Sequence, residues 1–132
     1  MSDSRKKTCL AVLFVVLVIL IMAGSLMPVA EMPGPEKTFQ EKVMTVLWNL
    51  THVPMYGVLT LVSLHYFECI GFSRRINAGV TAMVVMALGI LIEVLQVYVP
   101  GRYGGVFDIG LNAVGMAGGM GVFFKIFRKS GG

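Results

Sequence analysis

Four apolar runs dominate this chain, and each is about as long as a membrane-crossing helix needs to be, roughly 20 residues. They cover residues 10–27, 43–67, 79–99 and 107–127. The second is interrupted by Asn49, His52 and Pro54, and the third carries Glu93 and Gln96 in its last third. The fourth opens with Asp108 and is rich in glycine. In lipid an open sheet edge cannot satisfy its backbone groups, so the runs read as helices. Of the 132 residues 56% are hydrophobic and 14% charged, which excludes a soluble domain and a disordered chain alike. The expectation is an all-α integral membrane protein: a single domain over residues 1–132, built as a four-transmembrane-helix bundle with short loops. The longest loop, residues 28–41 with Pro28, Pro33 and Pro35, is too short to be a domain.

Basic residues beside the runs set the orientation. Arg5, Lys6, Lys7, Arg74, Arg75, Lys125, Arg128 and Lys129 fall on one side of such a bundle, and Lys37, Lys42 and Arg102 on the other. Eight against three predicts both termini in the cytoplasm, N-in/C-in, by the positive-inside rule. Trp48, Tyr98 and Tyr103 then mark the outer interface, and Tyr66, Phe67 and Phe72 the inner one. The net charge of +4 has its explanation in topology. With no basic run longer than Arg5-Lys6-Lys7, nucleic-acid binding is not expected. Cys9 and Cys69 fall near cytoplasmic ends and should stay thiols. Ala23-Gly24-Ser25 after a basic start also resembles a signal peptide, but the apolar run is long and is read as a retained span.

Polar residues inside the runs are the place to look for function. An ionised carboxylate at the centre of a membrane helix costs about 2.5–3.5 kcal/mol, while a hydrogen bond between helices returns about 0.6 kcal/mol on average. Asn49, His52 and Tyr56 share one face of the second run by spacing; Glu93 and Gln96 share a face of the third. Asp108, Asn112, Gly115 and Gly119 share a face of the fourth. In lipid such stripes must face one another. At about 1.5 Å per residue, Glu93 and Asn49 lie roughly 9 Å, His52 about 13 Å and Asn112 about 6 Å inside the outer ends of their helices. All then belong to the outer half of the bilayer, with Arg102 in the loop above them. His65 and Glu68, at the inner end, read as interfacial.

Each residue has a structural alternative. Asn49, Gln96 and Asn112 serve equally well as interhelical glue, and His52 alone is more often a packing residue. Gly115-x-x-x-Gly119 reads as a helix-packing face. Asp108 suits a helix N-terminus. Glu93 is the exception, because a buried carboxylate needs a proton or a cation. Catalysis, if any, would fall to Glu93 and His52. The ten methionines read as filler, in the core or against lipid. One histidine without ligand spacing gives weak support for a metal, and no nucleotide fingerprint is present, so neither metal nor cofactor is expected.

His52-x-x-x-Tyr56, Glu93-x-x-Gln96, Pro100-Gly101-Arg102, Asp108-x-x-x-Asn112 and Gly115 resemble the VanZ-like family over roughly residues 45–120. That family is named for a membrane protein associated with resistance to the glycopeptide teicoplanin. The resemblance implies a small bacterial inner-membrane protein with a polar pocket at the outer leaflet. The pocket would be formed by Asn49, His52, Tyr56, Glu93, Gln96, Arg102, Asp108 and Asn112. One departure stands out: the family often carries an aspartate shortly before the histidine, where Asn49 is the nearest polar residue here. Three functions follow as expectations. The first is binding of a membrane lipid or lipid-linked ligand, such as a cell-wall precursor or a lipoglycopeptide, with a contribution to teicoplanin-type resistance. The second is an enzyme modifying a lipid or lipid-linked sugar. The third is a structural or accessory subunit, acting as a homo-oligomer or with a membrane partner protein.

Overall fold

The computed structural model describes residues 3–28, 39–102 and 105–128, and these are helical apart from short connections. The helices are α1 (Asp3–Ser25), α2 (Phe39–Leu50), α3 (His52–Cys69), α4 (Arg74–Gln96) and α5 (Val106–Arg128). Lys37, Tyr103, Lys129, Pro33 and Pro35 fall outside the described residues, as do the side chains of Lys42, Trp48 and Arg128. Among the described residues three helices are long and apolar enough to cross a membrane: α1, α4 and, over Val106–Ile126, α5.

The second apolar run is two helices rather than one. Its break falls at Thr51, three residues before Pro54. Proline has no N–H to offer the carbonyl of Leu50, four residues back, so the ladder of hydrogen bonds is interrupted there. It resumes when the Met55 N–H reaches the Thr51 carbonyl at 3.2 Å. The first piece, α2, has 12 residues and a length of about 18 Å. Its exposed apolar residues Phe39, Val43, Val46, Leu47 and Leu50 recur at helical spacing along one face.

The second piece, α3, is the hub. It packs against each of the other four helices, and most closely against α5, while α1 and α5 do not touch among the described residues. A helix enclosed in this way can carry polar side chains that a lipid-facing helix cannot. Accordingly His52, Tyr56, Thr60 and Ser63 are all buried on α3. The Thr60 and Ser63 hydroxyls donate to the carbonyls one turn back, Tyr56 at 2.7 Å and Leu59 at 2.8 Å, so neither needs a partner on another helix. The apolar core joins Ile21 of α1, Tyr56 and Leu59 of α3, and Val85 and Ile92 of α4, with Met22, Met55 and Met116 packed around it.

α3 and α4 are joined by a Schellman turn. Gly71 takes φ +97°, a region closed to most residues with a Cβ. From there Phe72 donates to the Phe67 carbonyl and Gly71 to that of Glu68, both at 3.0 Å. The rings of Phe67 and Phe72 stack at 5.3 Å across the turn, the apolar contact that accompanies this motif. Near the same end His65 bonds the Leu61 carbonyl and lies edge-on to Phe123.

Candidate functional site

The sequence between α4 and α5 builds one end of the bundle. Val99, Pro100, Gly101 and Arg102 form a turn closed by the Arg102 N–H on the Val99 carbonyl at 3.1 Å. Proline in the second place and a glycine at φ +74° in the third suit a type II turn. The turn aims Arg102 across the bundle at the last turn of α1. Its Nη2 donates to the Gly24 carbonyl at 2.9 Å and its Nε to that of Met27 at 3.2 Å. Gln96 donates to the Ser25 carbonyl at 3.0 Å. The last carbonyls of a helix have no partner within it and carry partial negative charge. A guanidinium and an amide from elsewhere in the chain supply what α1 lacks.

Glu93 does the converse for α5. One carboxylate oxygen, Oε2, accepts the Gly105 N–H at 3.0 Å. The carbonyl of that same glycine receives the N–H groups of Asp108 and Ile109, which makes Gly105 the residue that opens the helix. Asp108 lies one turn further, within the first turn of α5. A negative group at a helix N-terminus is stabilising by about 0.3–1 kcal/mol, more where it is partly buried. Half of the Glu93 carboxylate therefore has a structural reason to be there.

His52 and Asn112 meet between α3 and α5. The ring Nδ1–H donates to Asn112 Oδ1 at 3.0 Å, an arrangement that leaves Nε2 as the acceptor of the imidazole. The Tyr56 ring lies nearly parallel to it, with centroids 6.2 Å apart. The meeting depends on how closely α3 and α5 approach. A Cβ on Gly119 would stand 2.5 Å from the Gly57 carbonyl oxygen, and one on Gly115 would run into that of Val53. The two glycines on α5 and the two carbonyls on α3 are each four residues apart, so the helices touch backbone to backbone over a full turn.

Among the described residues, four buried side-chain atoms have no hydrogen-bond partner: Tyr56 Oη, Glu93 Oε1, Asp108 Oδ1 and Asn112 Nδ2. They come from three helices, and they are neighbours. Gly89 lies one turn before Glu93 on the same face of α4, and a Cβ there would be 3.1 Å from Asn112 Nδ2 and 3.5 Å from Tyr56 Oη. Glu93 lies within electrostatic range of Asp108, His52 and Arg102, and Tyr56 within that of Glu93.

Of the eight pocket candidates, the fold thus gathers His52, Tyr56, Glu93, Asp108 and Asn112 into one cluster. Gln96 and Arg102 border it with their hydrogen bonds turned to α1. Asn49 lies on α2, on the other side of the break at Thr51. Sequence reasoning passed over Gly89 and Gly57, whose missing side chains let the helices and polar atoms meet. It also passed over buried Asn77 and Thr81, where Asn77 donates to the Leu64 carbonyl at 2.8 Å and accepts from Thr81 at 3.2 Å. A signal was present: Asn77, Thr81, Val85, Gly89 and Glu93 recur every four residues and form the buried stripe of α4.

A family model described as VanZ/LLP1 matches residues 10–128, nearly the whole chain and every residue of this cluster. The chain belongs to the VanZ/LLP1 family. Comparison with curated proteins and with solved structures gave no match. In this VanZ/LLP1 protein the matched region takes in α4, the α5 stretch Val106–Ile126 and α1 from residue 10 onward, the helices apolar enough to cross a membrane among the described residues.

Proposed function

We propose that this VanZ/LLP1 protein spans the bacterial inner membrane four times, both termini in the cytoplasm, and binds the polar head of an amphipathic ligand in the outer half of the bilayer. The fourth crossing is α3. Its 18 residues reach about 27 Å, close to the hydrocarbon thickness of about 30 Å. Its polar side chains are covered by neighbouring helices rather than by lipid. Ligands of suitable form are a lipid-linked cell-wall precursor or a lipoglycopeptide such as teicoplanin, whose acyl chain lets it approach from the membrane.

One observation carries the reading: four converging buried polar atoms without a partner. Each such atom costs about 1–3 kcal/mol, and nothing in the packing of three helices requires the cost. A ligand that supplied the missing hydrogen bonds would account for it. Expression in a susceptible bacterium should raise tolerance to teicoplanin and leave tolerance to vancomycin, which has no acyl chain, unchanged. Glu93→Gln should abolish that effect at equal expression. Equal protection against both antibiotics would overturn the membrane-facing mode. For the orientation, an impermeant thiol reagent should label Cys9 only after the membrane is opened; labelling in intact cells would reverse the topology.

A second reading has its own support in the His52–Asn112 bond. In the neutral imidazole, Nδ1–H given to an amide oxygen leaves Nε2 as the acceptor, an arrangement that suits a general base. The protein would then modify a lipid or lipid-linked sugar. A chemically altered lipid should appear with the wild type and not with His52→Gln; identical lipid profiles would exclude it.

A further inference from the structure

We infer that the group accepted by this site is a primary ammonium with an oxygen acceptor a few bonds away, an inference that rests on the binding role proposed above. The four unpartnered atoms define the complement. Glu93 Oε1 and Asp108 Oδ1 accept when ionised, Tyr56 Oη both donates and accepts, and Asn112 Nδ2 only donates. A partner must bring at least two N–H or O–H donors for the carboxylates and one acceptor for the amide.

Charge narrows the choice. Two carboxylates and one guanidinium lie within electrostatic range of one another, and Arg102 donates to the carbonyls of Gly24 in α1 and of Met27 just after it. An anion entering beside Glu93 and Asp108 meets like charge at short range, where the partly buried setting weakens screening. A cation meets the opposite. A quaternary amine has the charge and no N–H to give, so it leaves both carboxylate oxygens unmatched. A primary ammonium has three donors, enough for Glu93, Asp108 and the Tyr56 oxygen, and an ester or hydroxyl oxygen next to it reaches Asn112. Burial gives the direction of entry: Asp108 is half-exposed, while Glu93, Tyr56 and Asn112 are 4%, 1% and 0% exposed.

The same chemistry occurs in an ethanolamine lipid headgroup and in a soluble amino alcohol or amino sugar, and one experiment separates them. The full-length protein is placed in nanodiscs of phosphatidylglycerol doped with phosphatidylethanolamine or phosphatidylcholine, and lipids retained after release are counted by native mass spectrometry. The ethanolamine lipid should be retained at least about tenfold over the other two, the factor set by one charged hydrogen bond. Glu93→Gln and Asp108→Asn should each remove the preference. The glutamine can still accept the Gly105 N–H, so its thermal unfolding in plain phosphatidylglycerol discs should remain cooperative, lowered only by the lost charge at the helix N-terminus, and exclude misfolding as the cause. Free ethanolamine or glucosamine in the buffer should displace the lipid if the headgroup alone is recognised. Binding of the free amine without a lipid preference assigns the source to water.

Equal retention of ethanolamine and choline lipids together with no binding of the free amine, or a preference untouched in both carboxylate variants, overturns the ammonium inference. If another headgroup is retained and Tyr56→Phe and Asn112→Ala release it, the binding role stands while the ammonium falls. No dependence on headgroup, amine or variant removes both.

Discussion

Replacing Gly119 by alanine should loosen the α3–α5 pair, and the neighbouring Gly118 provides the control. A Cβ at Gly119 would lie 2.5 Å from the Gly57 carbonyl oxygen and 3.0 Å from Thr60 Cβ, both on α3. The first contact is with backbone, which cannot rotate away, so α5 must move. Overpacking of this kind costs about 1–3 kcal/mol. Alanine in a helix returns about 0.5–1 kcal/mol relative to glycine. The balance for Gly119→Ala is a loss of about 1 kcal/mol. At Gly118 a Cβ meets nothing within 4 Å, so only the helix term remains and Gly118→Ala should gain about 0.5–1 kcal/mol. Reversible unfolding in mixed micelles, followed by circular dichroism, measures both. Equal shifts for the two variants, or a change under about 0.5 kcal/mol at Gly119, would refute the close approach. The consequence reaches the site, because Asn112 lies three residues before Gly115 on the same helix. Gly115→Ala should therefore stretch the 3.0 Å bond to His52, visible as a change in the nitrogen shifts of the imidazole.

Other consequences are simpler. Tyr56→Phe deletes an unpartnered buried hydroxyl while keeping the ring, so unfolding stability should rise by about 1 kcal/mol even as ligand retention falls; a loss of similar size would show that the hydroxyl has a partner. Arg102→Lys should not replace the wild type, since a point-like ammonium cannot match a planar fork bonded to two carbonyls; faster amide exchange across residues 24–27 is the expected sign. Pro54→Ala restores a donor for Leu50 and should join α2 to α3, raising helical ellipticity; an unchanged spectrum would mean the break has another cause.

The apolar runs made α1, α4 and α5 legible, because a lipid-facing helix must be apolar along its whole length. The second run was harder. Its hydropathy suggested one long span, yet Pro54 divides it, and the enclosed half carries buried His52, Tyr56, Thr60 and Ser63 because its neighbours shield it. Spacing placed His52 with Tyr56 and Asp108 with Asn112 correctly on shared faces, since both pairs are one helical turn apart. It could not separate side chains that serve helix ends from those left unsatisfied. Gln96 and Arg102 looked like pocket residues, and their hydrogen bonds to α1 depend on a tertiary contact across more than 70 residues. Gly89 carries no chemistry of its own and signals only through its four-residue offset from Glu93.

Glu93 shows most directly where structure ends and function begins. If the residue served only the fold, its charge would be matched on both oxygens, since a membrane-buried carboxylate left half-solvated by the protein is costly. Oε2 is matched by the N-terminus of α5, and Oε1 is not matched. Two substitutions divide the roles. Glu93→Gln keeps an oxygen for Gly105 and should fold like the wild type, with function lost. Glu93→Ala loses the cap too and should unfold more easily than Glu93→Gln by about 1 kcal/mol. If the two variants are equally stable and both inactive, the Gly105 bond contributes nothing and the whole carboxylate belongs to the ligand. If both are active, the residue is a helix cap and the unpartnered oxygen has no bearing on what the protein binds.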